Sequence, residues 1–224
     1  MQKNTKKKLL AVALAVCLIA ILSFTTLAWF NDSESLTNKF EVVTSEDESP
    51  DDIFSVDIYE EVDQDKDGTP EKVEDTGAEF TNVVPGDVLQ KAPYVENTGR
   101  YDQWVRLTIT FDCEEAWEAI ADGASPLSLL TFYADFDEYW EGGAEETVGD
   151  TLVYTYYLKA PLAPGEVVGT FTSVSIPTTL DQNDLYSVKG MDLNISVMAE
   201  AVQVENVGAT TAAQAFAIVE GTNP

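Results

Sequence analysis

Val105-Arg106-Leu107-Thr108-Ile109-Thr110-Phe111 is the stretch that decides the fold. Its apolar residues fall on every second position and its polar residues on the others, which is the period of a half-buried β-strand. The same period returns on either side. Phe54, Val56 and Ile58 alternate with Ser55, Asp57 and Tyr59; Leu152, Tyr154, Tyr156 and Leu158 form a third case, and Leu193, Ile195, Val197 and Ala199 a fourth. Pro85-Gly86-Asp87 and Pro164-Gly165-Glu166 punctuate these runs, with Pro presetting φ at one corner and Gly allowing positive φ at the next. Many short strands separated by such turns predict an all-β protein, an antiparallel, jelly-roll-like β-sandwich with short helical insertions. The insertions are expected at 114–121, where Ala116, Trp117 and Ile120 share a side, and at 210–219, an Ala-rich stretch with Phe216.

The first forty residues set the compartment. Lys3, Lys6, Lys7 and Lys8 precede an apolar run of 14 residues, Leu9 to Leu22, and Thr26-Leu27-Ala28 supplies small residues where a signal peptidase reads them. The run is shorter than the ~18 residues of a spanning helix. The expectation is an exported chain cut between Ala28 and Trp29 by signal peptidase, with no stable membrane anchor. All 40 acidic residues follow Ala28 with only 8 of the 12 Lys and Arg, a net charge of −32. That charge argues against nucleic acid and anionic membrane surfaces as partners. The 196 residues that follow Ala28 suffice for one domain with a core, 45% of the whole chain being hydrophobic. Cys113 is the only cysteine beyond the leader, so stability must come from packing, metal or assembly instead of an internal disulfide.

Three parts are therefore expected: a signal peptide over 1–28, an N-terminal segment with an acidic linker over 29–52, and the sandwich over 53–224. The linker, Ser45-Glu46-Asp47-Glu48-Ser49-Pro50-Asp51-Asp52, lacks the apolar residues to join a core and sets 29–43 apart.

Catalytic chemistry finds few residues to use. The chain has no His, so a Ser-His-Asp or Cys-His pair and an HExxH zinc site are all ruled out. Carboxylates are so frequent that no pair of them is informative, and no enzyme activity is expected. One local motif stands out. Asp63, Asp65, Asp67, Gly68 and Glu74 fit the calcium-loop template, in which alternating aspartates converge on a hard cation, Gly permits the sharp turn and Glu closes the shell. The flanks alternate like strands, not helices, and Pro70 interrupts the loop, so a solvated hairpin loop is the alternative to a Ca²⁺ site. Tyr133, Phe136, Tyr139, Trp140, Tyr154, Tyr156 and Tyr157 invite a reading as a carbohydrate platform, but such residues more often fill a core or an interface.

Several segments together resemble the TasA and camelysin family of bacterial extracellular matrix proteins. The likeness lies in Thr26-Leu27-Ala28-Trp29-Phe30-Asn31-Asp32, in Asn38-Lys39-Phe40, and in Val84-Pro85-Gly86-Asp87-Val88 followed by Lys91, Val95-Glu96-Asn97-Thr98-Gly99 and Trp104-Val105-Arg106-Leu107. Tyr156-Tyr157-Leu158-Lys159, Leu162-Ala163-Pro164-Gly165-Glu166 and Ala199-Glu200-Ala201-Val202-Gln203 extend it through the last third. The resemblance implies a secreted jelly-roll subunit that polymerises with itself into biofilm fibres, each copy donating its N-terminal strand to a neighbour. In this chain Trp29, Phe30, Leu36, Phe40 and Val42 are the expected donor residues. The acidic linker and the calcium-like loop depart from the family pattern. Camelysin-type members are described as metallopeptidases, which this His-free chain does not support; a monomeric adhesion or surface accessory protein is the other alternative.

Overall fold

The computed structural model describes residues 55–63, 68–73, 79–180, 188, 191, 193–205 and 207–222, together with the backbone of 31–36. The strands expected from period two are present as β2 (Val56–Val62), β5 (Gln103–Asp112), β8 (Thr151–Leu158) and β11 (Ile195–Gln203). Around them run β1 (Asn31–Leu36), β3 (Glu71–Val73), β4 (Val88–Asn97), β6 (Leu130–Phe132), β7 (Trp140–Val148), β9 (Val167–Gly169) and β10 (Phe171–Ser175). They form two antiparallel sheets, β1-β11-β5-β8-β7 and β3-β2-β4-β10-β6, with β9 also paired to β4. The fold is an all-β, jelly-roll-like sandwich with short helices.

Alternation in sequence has become alternation in burial. Val105, Leu107, Ile109 and Phe111 of β5 are fully buried, and they face Leu152, Tyr154, Val197, Ala199 and Phe171 in one core. Each such apolar side chain contributes ~1.5–3 kcal/mol by leaving water. Helix α1 (Glu114–Ile120) plugs one end through Trp117, whose ring meets Phe111 edge-on with centroids 5.4 Å apart. Helix α2 (Phe136–Tyr139) adds Phe136, stacked on Trp140.

A second, smaller core lies on the outer face of the first sheet. Helix α3 (Ala212–Glu220) is capped by Thr211, which accepts from the Gln214 N–H at 3.3 Å. It lays Ala212, Ala215 and Phe216 over Trp104 and Val202. Arg106 holds this helix down. Its guanidinium sits 4.3 Å from the Phe216 ring centroid, and it pairs with Glu200 of β11 at 2.7 Å and with Glu220 of α3 at 2.5 Å.

The two Pro-Gly-acid turns fold alike. In one, Val84 N–H donates to the Asp87 carboxylate at 3.1 Å and Asp87 N–H to the Val84 carbonyl at 3.1 Å; in the other, Ala163 and Glu166 repeat the exchange at 3.0 and 2.9 Å. Gly86 (φ 90°) and Gly165 (φ 73°) take the left-handed corner that a type II turn requires. Each turn then clamps a strand end. Gly86 and Asp87 exchange backbone hydrogen bonds with Ile176 just beyond β10, and Gly165 and Glu166 do the same with Asn97 at the end of β4.

Candidate functional site

The residues point to one edge of the first sheet. β1 pairs antiparallel with β11 in a continuous register, from Asn31 opposite Val202 to Leu36 opposite Val197. On its other side β11 pairs with β5 over nine positions, Ile195 opposite Phe111 through Gln203 opposite Gln103. β1 thus lies in the outermost place of the sheet, where the free backbone edge of β11 would otherwise be open. Register puts Leu36, Glu34 and Asp32 opposite Val197, Ala199 and Ala201, three residues that line the core. Of the expected donor residues only Leu36 is in this strand; Trp29, Phe30, Phe40 and Val42, like the expected cleavage site at Ala28, lie outside the described residues.

Beneath this edge runs β2, to which both β1 and β11 come within 8 Å, Cα to Cα. Its inward residues are Val56, Ile58, Glu60 and Val62. Glu60 is wholly buried, and the Lys91 ammonium on β4, itself 5% exposed, donates to its Oε1. The other oxygen, Oε2, has no hydrogen-bond partner. Charge alternation in the sequence gave no sign of this pair, because a charged residue on a strand normally faces water.

One end of the sandwich beside β11 is closed by a polar knot. Asn97, fully buried, donates to the carbonyls of Tyr101 and Leu162 at 2.9 and 2.7 Å and accepts from Gly99 N–H at 2.9 Å. Gln103 donates to the Ser55 carbonyl at 2.9 Å. A Cβ at Gly99 would come within 2.7 Å of Gln103 Nε2, so the Asn-x-Gly spacing answers to a close approach.

The acidic loop opens at Asp63, which is 6% exposed and whose carboxylate accepts from the Gly68 N–H at 2.8 Å. Asp65, Asp67 and Glu74 lie outside the described residues. Among the described residues no three His, Cys, Asp or Glu side chains are grouped to hold a metal ion.

The aromatic residues divide. Phe136, Trp140, Tyr154 and Tyr156 belong to the main core, Tyr157 packs against the smaller one, and Tyr139 is exposed. Tyr133 joins a row that the sequence reading missed. Lys72, Tyr59, Tyr94 and Tyr133 form a row across the second sheet, with the ammonium 4.1 Å from the Tyr59 centroid, Tyr59 stacked on Tyr94 with centroids 5.2 Å apart, and Tyr133 tilted against Tyr94 at 5.9 Å. The Tyr59 and Tyr94 rings stack on each other, so this row ties β2 to β4. Burial, then the hydrogen bond with Tyr133, raises the Tyr94 phenol well above its ordinary value. The signal was there, since Tyr59 and Tyr94 both occupy outward positions of alternating strands.

No family model and no curated protein matches this chain. Among the described residues no helix is long and apolar enough to cross a membrane.

Proposed function

We propose that this chain is a secreted structural protein that polymerises into extracellular matrix fibres, the N-terminal segment of one copy closing the β11 edge of the next. The observation that carries the reading is the pairing of Asn31–Leu36 with β11 at the sheet margin. Backbone hydrogen bonding joins that strand to its neighbour, a mode of recognition that works equally well within a chain or between chains. The sequence supports it further, because signal cleavage at Ala28 would release the segment and the linker over 45–52 would let it reach. Resemblance to the TasA and camelysin family agrees with the same reading.

A second reading has an observation of its own. Here a single chain closes its own edge, which fits a monomeric surface accessory protein. Deleting 29–43 separates the two. For a donor, the truncated protein stays folded and monomeric while the full exported chain forms fibres in negative stain. Fibres from the truncated protein, or a full chain that stays folded and monomeric under all conditions, would refute it.

A further inference from the structure

We propose that Tyr94 and Tyr133 form a cross-linking site, at which hydrogen peroxide activated by a haem joins the two rings carbon to carbon into an internal dityrosine. Beyond Ala28 the chain has a single cysteine, so no disulfide within that part can staple its strands. The inference stands on the second sheet alone and does not draw on the fibre reading.

Two phenols couple when their ring edges meet at the carbons beside the hydroxyls. Tyr94 on β4 and Tyr133 just past β6 meet at that end, since their hydroxyls are hydrogen-bonded to each other. Both side chains are half-buried. Their rings are tilted by 50° with centroids 5.9 Å apart. Linked rings are themselves twisted, because the hydroxyls beside the new bond would collide in a flat arrangement, so the tilt resembles the product. Tyr59 and Tyr94 supply the contrast. They lie closer, at 5.2 Å, but are stacked at 19° and present faces to each other in place of edges. Gly169 makes room for the edge contact. It stands opposite Tyr94 on β9, and its φ is outside the left-handed region, so the backbone does not call for glycine there. A Cβ at this position would lie 2.6 Å from the Tyr133 ring.

Protons and electrons both have a route. Tyr94 donates to Glu61 Oε2 at 3.3 Å, which leaves its oxygen to accept from Tyr133. Removal of an electron from each phenol makes its O–H strongly acidic, and the two protons leave for water, that of Tyr94 by way of Glu61. The two phenoxyl radicals pair their electrons in a Cε–Cε bond. The hydrogen on each bonded carbon then moves to the oxygen of its own ring and restores both phenols. Two electrons and two protons thus pass from the protein to one hydrogen peroxide, whose O–O bond breaks to give two waters. Charge favours this end of the row. The Lys72 ammonium, 4.1 Å from the Tyr59 centroid, opposes loss of an electron from Tyr59, whereas the Glu61 carboxylate assists it at Tyr94.

The test treats the full exported chain with hydrogen peroxide and a small haem peptide, then maps the monomer by peptide mass under reducing conditions. The expected product is a linked pair of peptides carrying Tyr94 and Tyr133, lighter than their sum by two hydrogens. The urea midpoint should rise, because β10 lies between β4 and β6 and the link spans it. Positioned rings react as a single unit, so dityrosine fluorescence of the monomer should fall at least about tenfold in Tyr94→Phe and in Tyr133→Phe. Both variants keep the ring and its packing, and the parent's peptide map decides should either fail to fold. If exposure alone governed the reaction, Tyr101 and Tyr139, 41% and 43% exposed, would link first. That product in place of Tyr94–Tyr133, a link of Tyr59 to Tyr94, or undiminished fluorescence in both variants overturns the proposal. So does a parent monomer that emerges with no linked tyrosine.

Discussion

β11 has two neighbours that differ in what holds them. Toward β5, inward positions are filled by Val105, Leu107, Ile109 and Phe111 against Val197, Ala199 and Ala201, all wholly buried. A slip by one residue there would turn every apolar side chain to water, so the pairing is fixed by side chains. Toward β1, the partner strand carries one apolar residue, Leu36, and is joined to β11 by a backbone ladder. On the function proposed above, the sheet is permanent on the β5 side of β11 and exchangeable on the β1 side.

The contrast can be broken most violently from the permanent side. Leu107→Ala removes buried methyl groups from the centre of the core and should cost about 2–5 kcal/mol, read as a large drop in the urea midpoint. A loss below ~1 kcal/mol would mean that the core does not fix β5 as described. Asn97→Ala comes next. It leaves the Tyr101 carbonyl without its donor and removes one of two hydrogen bonds at the Leu162 carbonyl and at the Gly99 N–H, which keep Gln103 N–H and the Ser55 carbonyl, and should destabilise by ~1–3 kcal/mol, with fibre formation per folded molecule unchanged.

The acidic loop offers a smaller effect. If it takes calcium through Asp63, Asp65, Asp67 and Glu74, a tenfold excess over the dissociation constant should stabilise by ~1.4 kcal/mol. Asp65→Ala should abolish that gain in a calcium-dependent melt, and an unchanged melt in the parent would leave the loop as a turn. Ser33→Ala on the exchangeable side should shift stability by no more than ~0.5 kcal/mol, in keeping with a strand held through its backbone. A shift of the size of Leu107→Ala would erase the distinction.

A pH series sharpens the permanent side further. Burial, then the hydrogen bond to Glu145, pushes the Tyr154 phenol up to about 12. The fold therefore favours the protonated phenol. That contribution is complete below the unfolded value of ~10 and is lost as pH rises through about 12. Stability should fall across this window, and Tyr154→Phe should flatten the fall in urea titrations on either side of it.

Much of the permanent part was legible in the sequence, because burial on one face writes a period of two into β2, β5, β8 and β11. The Pro-Gly-acid turns were legible too, since their backbone needs those residue types. β7 was not. It is an outer strand, mostly exposed, with a bulge between Gly142 and Ala144, so no face imposes a pattern on it. β9 and β10 escaped because Thr170 interrupts them, its N–H and hydroxyl both donating to the Pro93 carbonyl. The Glu60–Lys91 pair ran against pattern, as charges on an inward face do. The partner of β1 could not be read, because a segment with a single apolar residue, Leu36, carries little information about which strand it joins. Of the acidic loop's motif residues the structure describes Asp63 and Gly68, joined by a hydrogen bond that a calcium loop and a plain hairpin loop both allow.

The antiparallel pairing of β1 with β11 also sets how the joint bears force. Its hydrogen bonds lie across the strands, so tension applied along β1 loads the whole ladder at once, in shear. Peeling from one end would load the bonds one at a time and part them easily. A joint with this geometry resists stretching far better than it resists being unzipped, whichever copy supplies the strand.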